Sequence, residues 1–275
     1  LFTAIAAWTA GFVVADLLAL GLVGLNRIRW GLAIRPRWQI LREQIKYGSQ
    51  GQLANLAQLF NYRLDQYIVA AFATRAGVGH YTVAVGLGES IWWISSAVAM
   101  VLLPRLTAMA RRDAAELTPV VCRNTLLVSG IAAVVLMVAS PLLVRLLFGE
   151  DFSPAVTPLI LLMPGIMAAS AGRILGSYLF SQGKVIFNTY ATLIALGVTL
   201  AFDLTLIPFF DIEGAAIASS IAYSASLAVT LYWYRQTSGA NPWQALIVQT
   251  GDFQLYGALW RRLRWPGVPS DASST

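Results

Sequence analysis

The sequence predicts an all-α protein, a polytopic transmembrane helix bundle of about seven spans. Three observations carry that prediction. The chain is 57% hydrophobic and 12% charged, with a mean hydropathy of +0.66, whereas charges make up about a quarter of a soluble domain. Apolar runs of spanning length recur along it, since about 20 residues cover a hydrocarbon core of roughly 30 Å. The basic residues gather between those runs and switch sides at each crossing, as the positive-inside rule expects.

The first run, residues 3 to 25, holds Asp16 and ends at Asn26. The chain opens at Leu1 inside this run without the basic segment and cleavage site of a signal peptide, so it reads as the start of a fragment. Residues 26 to 48 mix Arg27, Arg29, Arg35, Arg37, Arg42 and Lys46 with Trp30, Trp38, Leu41 and Ile45 at helical spacing. That mixture predicts a cytoplasmic connector lying along the membrane surface.

The second span, residues 49 to 72, carries Arg63 and Asp65 well inside an apolar run. At about 100° per residue, Gln52, Asn55, Gln58, Tyr62, Asp65 and Gln66 share one half of the helix, with Arg63 at its edge. An ionisable group at membrane depth costs on the order of 3 kcal/mol, so such groups face protein or a wet cavity. The helix is therefore expected to line a cavity.

Spans follow at residues 81 to 103, 124 to 148, 155 to 180, 185 to 208 and 213 to 234. In the first of these, Thr82, Gly86, Glu89, Trp93 and Ser96 recur at three- and four-residue steps. Residues 124 to 148 are nearly bare of polar groups until Arg145, which predicts a lipid-facing helix. The next span sets Ser170, Arg173 and Ser177 above an expected kink at Pro164 and Gly165. Asn188, Thr192, Thr199 and Asp203 share a face of the one after.

Between spans, Arg75 stands alone in residues 74 to 80, whereas residues 104 to 123 hold Arg105, Arg111, Arg112 and Arg123. Glu150 and Asp151, Lys184, then Asp211 and Glu213 mark the later connectors, and Arg235, Arg261, Arg262 and Arg264 lie in the tail. This bias puts the carboxyl terminus in the cytoplasm. In the tail, residues 253 to 265 read as a short interfacial amphipathic helix and 266 to 275 as disordered.

Several function classes drop out. A net charge of +6 is spread through loops and is not a nucleic-acid face. One cysteine, Cys122, excludes an intrachain disulfide and a zinc framework. With a single histidine and no P-loop, zincin or nucleophile-elbow motif, the residues imply no enzyme, no metal and no cofactor.

The binding candidates are Arg63, Arg173, Asn55, Gln58, Tyr62 and Trp93, lining a cavity in which the arginines hold an anionic head group through their planar forks. The same arginines can instead tie helices together by pairing with Asp203, Glu89 or Asp65. For Asp65, Glu89 and Asp203, coupling to a proton or sodium ion competes with simple charge balance.

The strings YRLDQYIVAAF (62 to 72), GVGHYTVA (77 to 84), VLLPRLT (101 to 107), FGEDFSPA (148 to 155), FSQGK (180 to 184) and PFFDIEGAAIAS (208 to 219) occur in this order. In them the chain resembles the carboxyl-terminal part of the polysaccharide exporters, or O-antigen flippases. Their superfamily also holds the multidrug and toxin extrusion (MATE) transporters and the lipid II flippase. The resemblance implies two six-helix bundles around a cleft open alternately to either face. It further implies transport of undecaprenyl-diphosphate-linked oligosaccharide across the bacterial inner membrane, for lipopolysaccharide or exopolysaccharide. By that analogy residues 1 to 25 end a truncated amino-terminal bundle and 26 to 48 connect it to a second bundle at 49 to 234, with 235 to 275 as tail. The partners implied are membrane lipid, the lipid-linked oligosaccharide and the missing bundle.

Overall fold

The computed structural model describes residues 2 to 30, 38 to 247, 249 and 252. Every long element among them is a helix: α1 Phe2–Trp30, α2 Trp38–Phe72, α3 Arg75–Glu89, α4 Trp92–Ala108, α5 Arg111–Phe148, α6 Val156–Ser181 and α7 Val185–Ser238. Short 3-10 turns at Glu150–Ala155 and Pro242–Ala245 precede α6 and follow α7. Hydrocarbon offers no hydrogen-bond partners, so a spanning backbone must satisfy itself along its own helix. Four helical stretches among the described residues are long and apolar enough to cross a bilayer, at Arg75–Ala108, Arg111–Phe148, Glu150–Ser181 and Val185–Ser238. The all-α polytopic reading holds. The tail segments 253 to 265 and 266 to 275 lie outside the described residues, as does the middle of the basic connector.

The chain divides into two compact units, Leu1–Gly48 and Ser49–Thr275. In the first, α1 presents Phe12, Leu17, Leu18 and Leu22 outward from its apolar middle, Thr9–Leu22. The second holds the core and every site considered below.

Three helix boundaries depart from the expected spans. The predicted span at 81 to 103 is split. Thr74 caps α3 by accepting a hydrogen bond from the Gly77 amide at 3.1 Å, which starts the helix at Arg75 and draws His80 into it. The helix then ends at Glu89, where the Ser90 hydroxyl and amide both turn back to the Leu87 carbonyl. The expected connector at 104 to 123 is mostly the amino-terminal third of α5, so its arginines stand on a helix. The spans at 185 to 208 and 213 to 234 form the two arms of α7, which reverses at Asp211 (φ 50°, ψ −132°). The reversal is tight: a Cβ on Gly214 would meet the Leu206 carbonyl oxygen at 2.5 Å. Its far ends come together where Phe187 stacks on Trp233 with ring centroids 3.9 Å apart.

α6 is the axis of the second unit. Leu159, Leu162, Met163 and Ile166 belong to one buried cluster with Val69, Tyr81, Trp92 and Ile212. Ile174, Leu175, Tyr178 and Leu179 belong to a second cluster with Leu102, Leu106, Cys122 and Tyr234. In lipid the apolar surroundings give helices little reason to associate beyond close packing, so small residues at crossings matter. Gly165 is such a crossing. Its absent side chain admits the backbone of Ser220, whose Cα lies 2.5 Å from where a Cβ would stand, and the Ser220 hydroxyl donates to the Leu161 carbonyl at 2.6 Å. α6 continues as a helix through Pro164, and Gly165 beside it serves the contact with α7. Opposite, Val128, Ile131, Val135, Val138 and Leu142 of α5 remain exposed, an apolar stripe suited to lipid.

After α7 the chain turns back across the start of α5. Arg123 donates to the Asp252 carboxylate and, at 3.4 Å, to the Gln244 carbonyl, while the Gln249 amide donates to Asp252 at 2.9 Å. The hydrogen bond from Arg123 is the largest influence holding the Asp252 carboxyl below its ordinary value of 3.8, against the opposing effect of burial.

Two predictions follow from this packing. Gly165→Ala should lower stability in detergent by about 1–3 kcal/mol, whereas Gly197→Ala, with open space around it, should be neutral; equal melting temperatures would contradict the crossing. Because the folded Asp252 value is depressed, its contribution to stability is complete above pH 3.8 and is lost as pH falls through the folded value. Pepsin cleavage within residues 241 to 252 should therefore rise steeply below that pH, and Asp252→Asn should expose the segment to neutral proteases.

Candidate functional site

α6 and the two arms of α7 flank a half-open cavity of about 570 Å³ with polar and apolar walls, lined also by Gln58 of α2 and Leu103 of α4. Helical spacing builds its walls: Gly172, Arg173, Gly176 and Ser177 come from α6, Asn188 and Thr192 from the first arm, and Ser226 and Thr230 from the second. The small side chains at Gly172 and Gly176 leave the space, and polar groups on the facing helices tie it together. Asn188 donates to the Gly176 carbonyl at 3.1 Å, and the Thr192 hydroxyl lies 3.2 Å from the Gln58 amide oxygen. The Arg173 guanidinium lies 5.8 Å from the centroid of the Trp92 ring, a cation–π arrangement that steadies the charge without neutralising it. Trp92 in turn meets Tyr223 edge-on at 5.7 Å.

A second polar cluster is sealed in the core. Asp65 is 2% exposed and accepts three hydrogen bonds: from the Tyr81 hydroxyl at 2.6 Å, the Ser219 hydroxyl at 3.3 Å and the Gln66 amide at 2.7 Å. Asp203, on the first arm of α7, is fully buried, and neither carboxylate oxygen has a hydrogen-bond partner among the described residues. The two carboxylates are within electrostatic reach of one another. Like charges in a low-dielectric interior repel strongly, and a proton or a cation bound there removes the repulsion.

The candidates named from the sequence thus fall in three places. Gln58 and Arg173 share the cavity. Asp65 and Asp203 are buried in the core and line none of that cavity. Arg63 is exposed on α2, donates to the Gln66 side chain at 3.3 Å and interacts electrostatically with half-buried Glu89. Neither Arg63 nor Glu89 lines the cavity that holds Arg173. Trp93 is likewise 76% exposed, and the neighbour that reaches Arg173 is Trp92. Adjacent helical positions diverge by about 100°, so only one could turn inward. The side chains of Asn55 and Tyr62 lie outside the described residues.

Tyr81, Ser219 and Tyr223 had no assigned role in the sequence reading. Ser219 closes the string PFFDIEGAAIAS, but its bond to Asp65 spans 154 positions, and nothing local announces it. The one available signal was the need of Asp65 for donors, which does not say from where.

A family model described as "Polysaccharide biosynthesis protein" matches residues 3–157. A probable low-salt glycan biosynthesis flippase of Haloferax volcanii is 24% identical to the chain over 205 residues, 73% of this chain and 43% of that protein. A capsular polysaccharide biosynthesis protein of Staphylococcus aureus is 25% identical over 229 residues, 75% of this chain and 57% of that protein. The chain spans about half the length of these curated relatives.

The buried cluster makes opposite predictions for its two sides. Tyr81→Phe should cost about 1.5–3 kcal/mol of stability by removing a hydrogen bond to a charged group, while Asp203→Asn should leave the melting temperature unchanged or raise it. Equal destabilisation by both variants would show that Asp203 is held by partners.

Proposed function

Since the chain belongs to the polysaccharide biosynthesis protein family, we propose that it is part of a flippase that moves a lipid-linked oligosaccharide across the membrane by alternating access. The observation that carries this reading is the polar cavity holding Arg173 inside an otherwise apolar bundle. A structural bundle has little reason to keep an arginine and several amides and hydroxyls around an open volume at membrane depth. In this reading Arg173 meets the negative diphosphate, since a guanidinium fork binds two phosphate oxygens at once. Gln58, Asn188 and Thr192 exchange hydrogen bonds with sugar hydroxyls, and the prenyl tail, undecaprenyl in a bacterial inner membrane, stays in lipid.

Exposed Arg63, Thr82 and Trp93, with half-buried Glu89, are assigned to the wall of a cleft shared with the other bundle. The break between α3 and α4 beside Glu89 gives that wall a place to bend. Asp65 and Asp203 are assigned to coupling: a proton or cation taken up by the pair from one side and released to the other would bias the transport cycle. The start of α5, with Arg111 and Arg112, and the end of α7, with Arg235, face the cytoplasm, as the positive-inside bias requires, and the protein moves its cargo without covalent chemistry.

The acidic pair also favours a second reading, an ion-coupled multidrug exporter of the same superfamily. Resistance to cationic drugs conferred by expression would select it, whereas loss of surface glycan without it selects the flippase.

In lipid-linked oligosaccharide transport by the whole protein, Arg173→Ala should reduce flux at least about tenfold, with Arg173→Lys retaining part of it. Arg63→Ala should have a smaller effect. Normal flux at normal expression in both alanine variants would remove the head-group role.

A further inference from the structure

A second polar cavity, of about 880 Å³, lies apart from the transport cavity, where the beginning of α5, the last turn of α6 and the end of α7 converge. Its wall includes Arg111, Arg112, Glu116, Arg123, Tyr178 and Gln249. The helical repeat explains the arrangement: positions 111, 115, 119 and 123 fall on one stripe of α5.

Not every charge here is free to act on a ligand. Arg123 is engaged by Asp252, whereas Arg112 meets Glu116 at 3.2 Å with both side chains exposed, a surface pair weak enough for a ligand to displace. Arg111 differs. Among the described residues its guanidinium donates to a neutral group, the Thr237 carbonyl, so its charge has no counter-ion. The N-cap of α5, Ala110, offers no side-chain acceptor to the first amides, and Asp113 in the first turn offsets part of the positive helix end.

An independent observation comes from α6. Tyr178 is fully buried and contributes to the cavity wall, yet its hydroxyl has no hydrogen-bond partner among the described residues. A buried hydroxyl without a partner costs about 1–3 kcal/mol, which an oxygen acceptor in the cavity would recover. The depth is also informative. The apolar runs end near 124, 180 and 234 on this same side, which sets the cavity at the level of lipid head groups.

We propose that this cavity binds a phosphate group, carried by an anionic lipid of the adjoining leaflet or free in solution. Arg111 supplies the uncompensated charge, Arg112 the exposed guanidinium at the rim, and Tyr178 a neutral donor at the floor. The site does not depend on what the transport cavity carries.

Thermal unfolding of the whole protein in detergent tests it, with titrations of short-chain phosphatidylglycerol, short-chain phosphatidylcholine and inorganic phosphate. Phosphatidylglycerol should raise the melting temperature more than phosphatidylcholine, and the double variant Arg111→Gln/Arg112→Gln should lose the difference. Tyr178→Phe, which removes a single oxygen and keeps the ring packing, should weaken the apparent affinity roughly five- to tenfold. A phosphate response with the same dependence on these residues supports the site with a soluble ligand; its absence beside a phosphatidylglycerol response assigns the lipid. Equal effects of the two lipids with no response to phosphate, or a ligand response that neither the double variant nor Tyr178→Phe changes, overturns the proposal.

Discussion

Everything in this structure answers to the absence of water in the bilayer interior. A polar group there finds its partner within the protein or carries most of its desolvation cost. The backbone meets that constraint by remaining helical, and the sharp reversal at Asp211 falls between two arms each long enough to span. The side chains meet it by clustering. Asp65 collects three donors from α2, α3 and the second arm of α7, which fastens those elements at a single point.

Close packing does the rest. α6 touches both buried clusters, and its crossing with α7 at Gly165 brings backbone against side chain with no room for a methyl group. The same helix turns small residues toward the polar cavity, so Gly172 and Gly176 open a volume where larger side chains would have closed it. Rigidity and the cavity thus come from one helix, through glycines used in two ways. Among the described residues, buried polar atoms without hydrogen-bond partners occur at Asn124, Ser129 and Ser170 as well as at two further places. Asp203 is buried without hydrogen bonds among the described residues, and Tyr178 leaves a hydroxyl without a partner beside the arginines of α5. Local cost of this kind gathers where a protein waits for something to bind.

The helix break after Glu89 belongs to the same pattern. It interrupts a membrane span where Ser90 turns back on Leu87, and it brings Glu89 within the field of Arg63. Charges on an open face and charges in a sealed core have separate physical tasks.

Composition and periodicity were enough to establish the helical membrane class, because it rests on local hydropathy and the helical repeat, while the helix boundaries at 89 to 92, 108 to 111 and 211 were set by local capping and packing. Composition and periodicity also singled out Asp65, Asp203 and Arg173, since an ionisable residue inside an apolar run is visible in one dimension. Which of these meet was decided by tertiary structure alone. Asp65 with Ser219 and Gln58 with Thr192 are contacts across more than a hundred positions. The exchange of Trp93 for Trp92 depended on how α4 is rotated after the break. Helical spacing sets direction around one helix axis and carries no information about the neighbouring axis, so faces were legible and their partners were not.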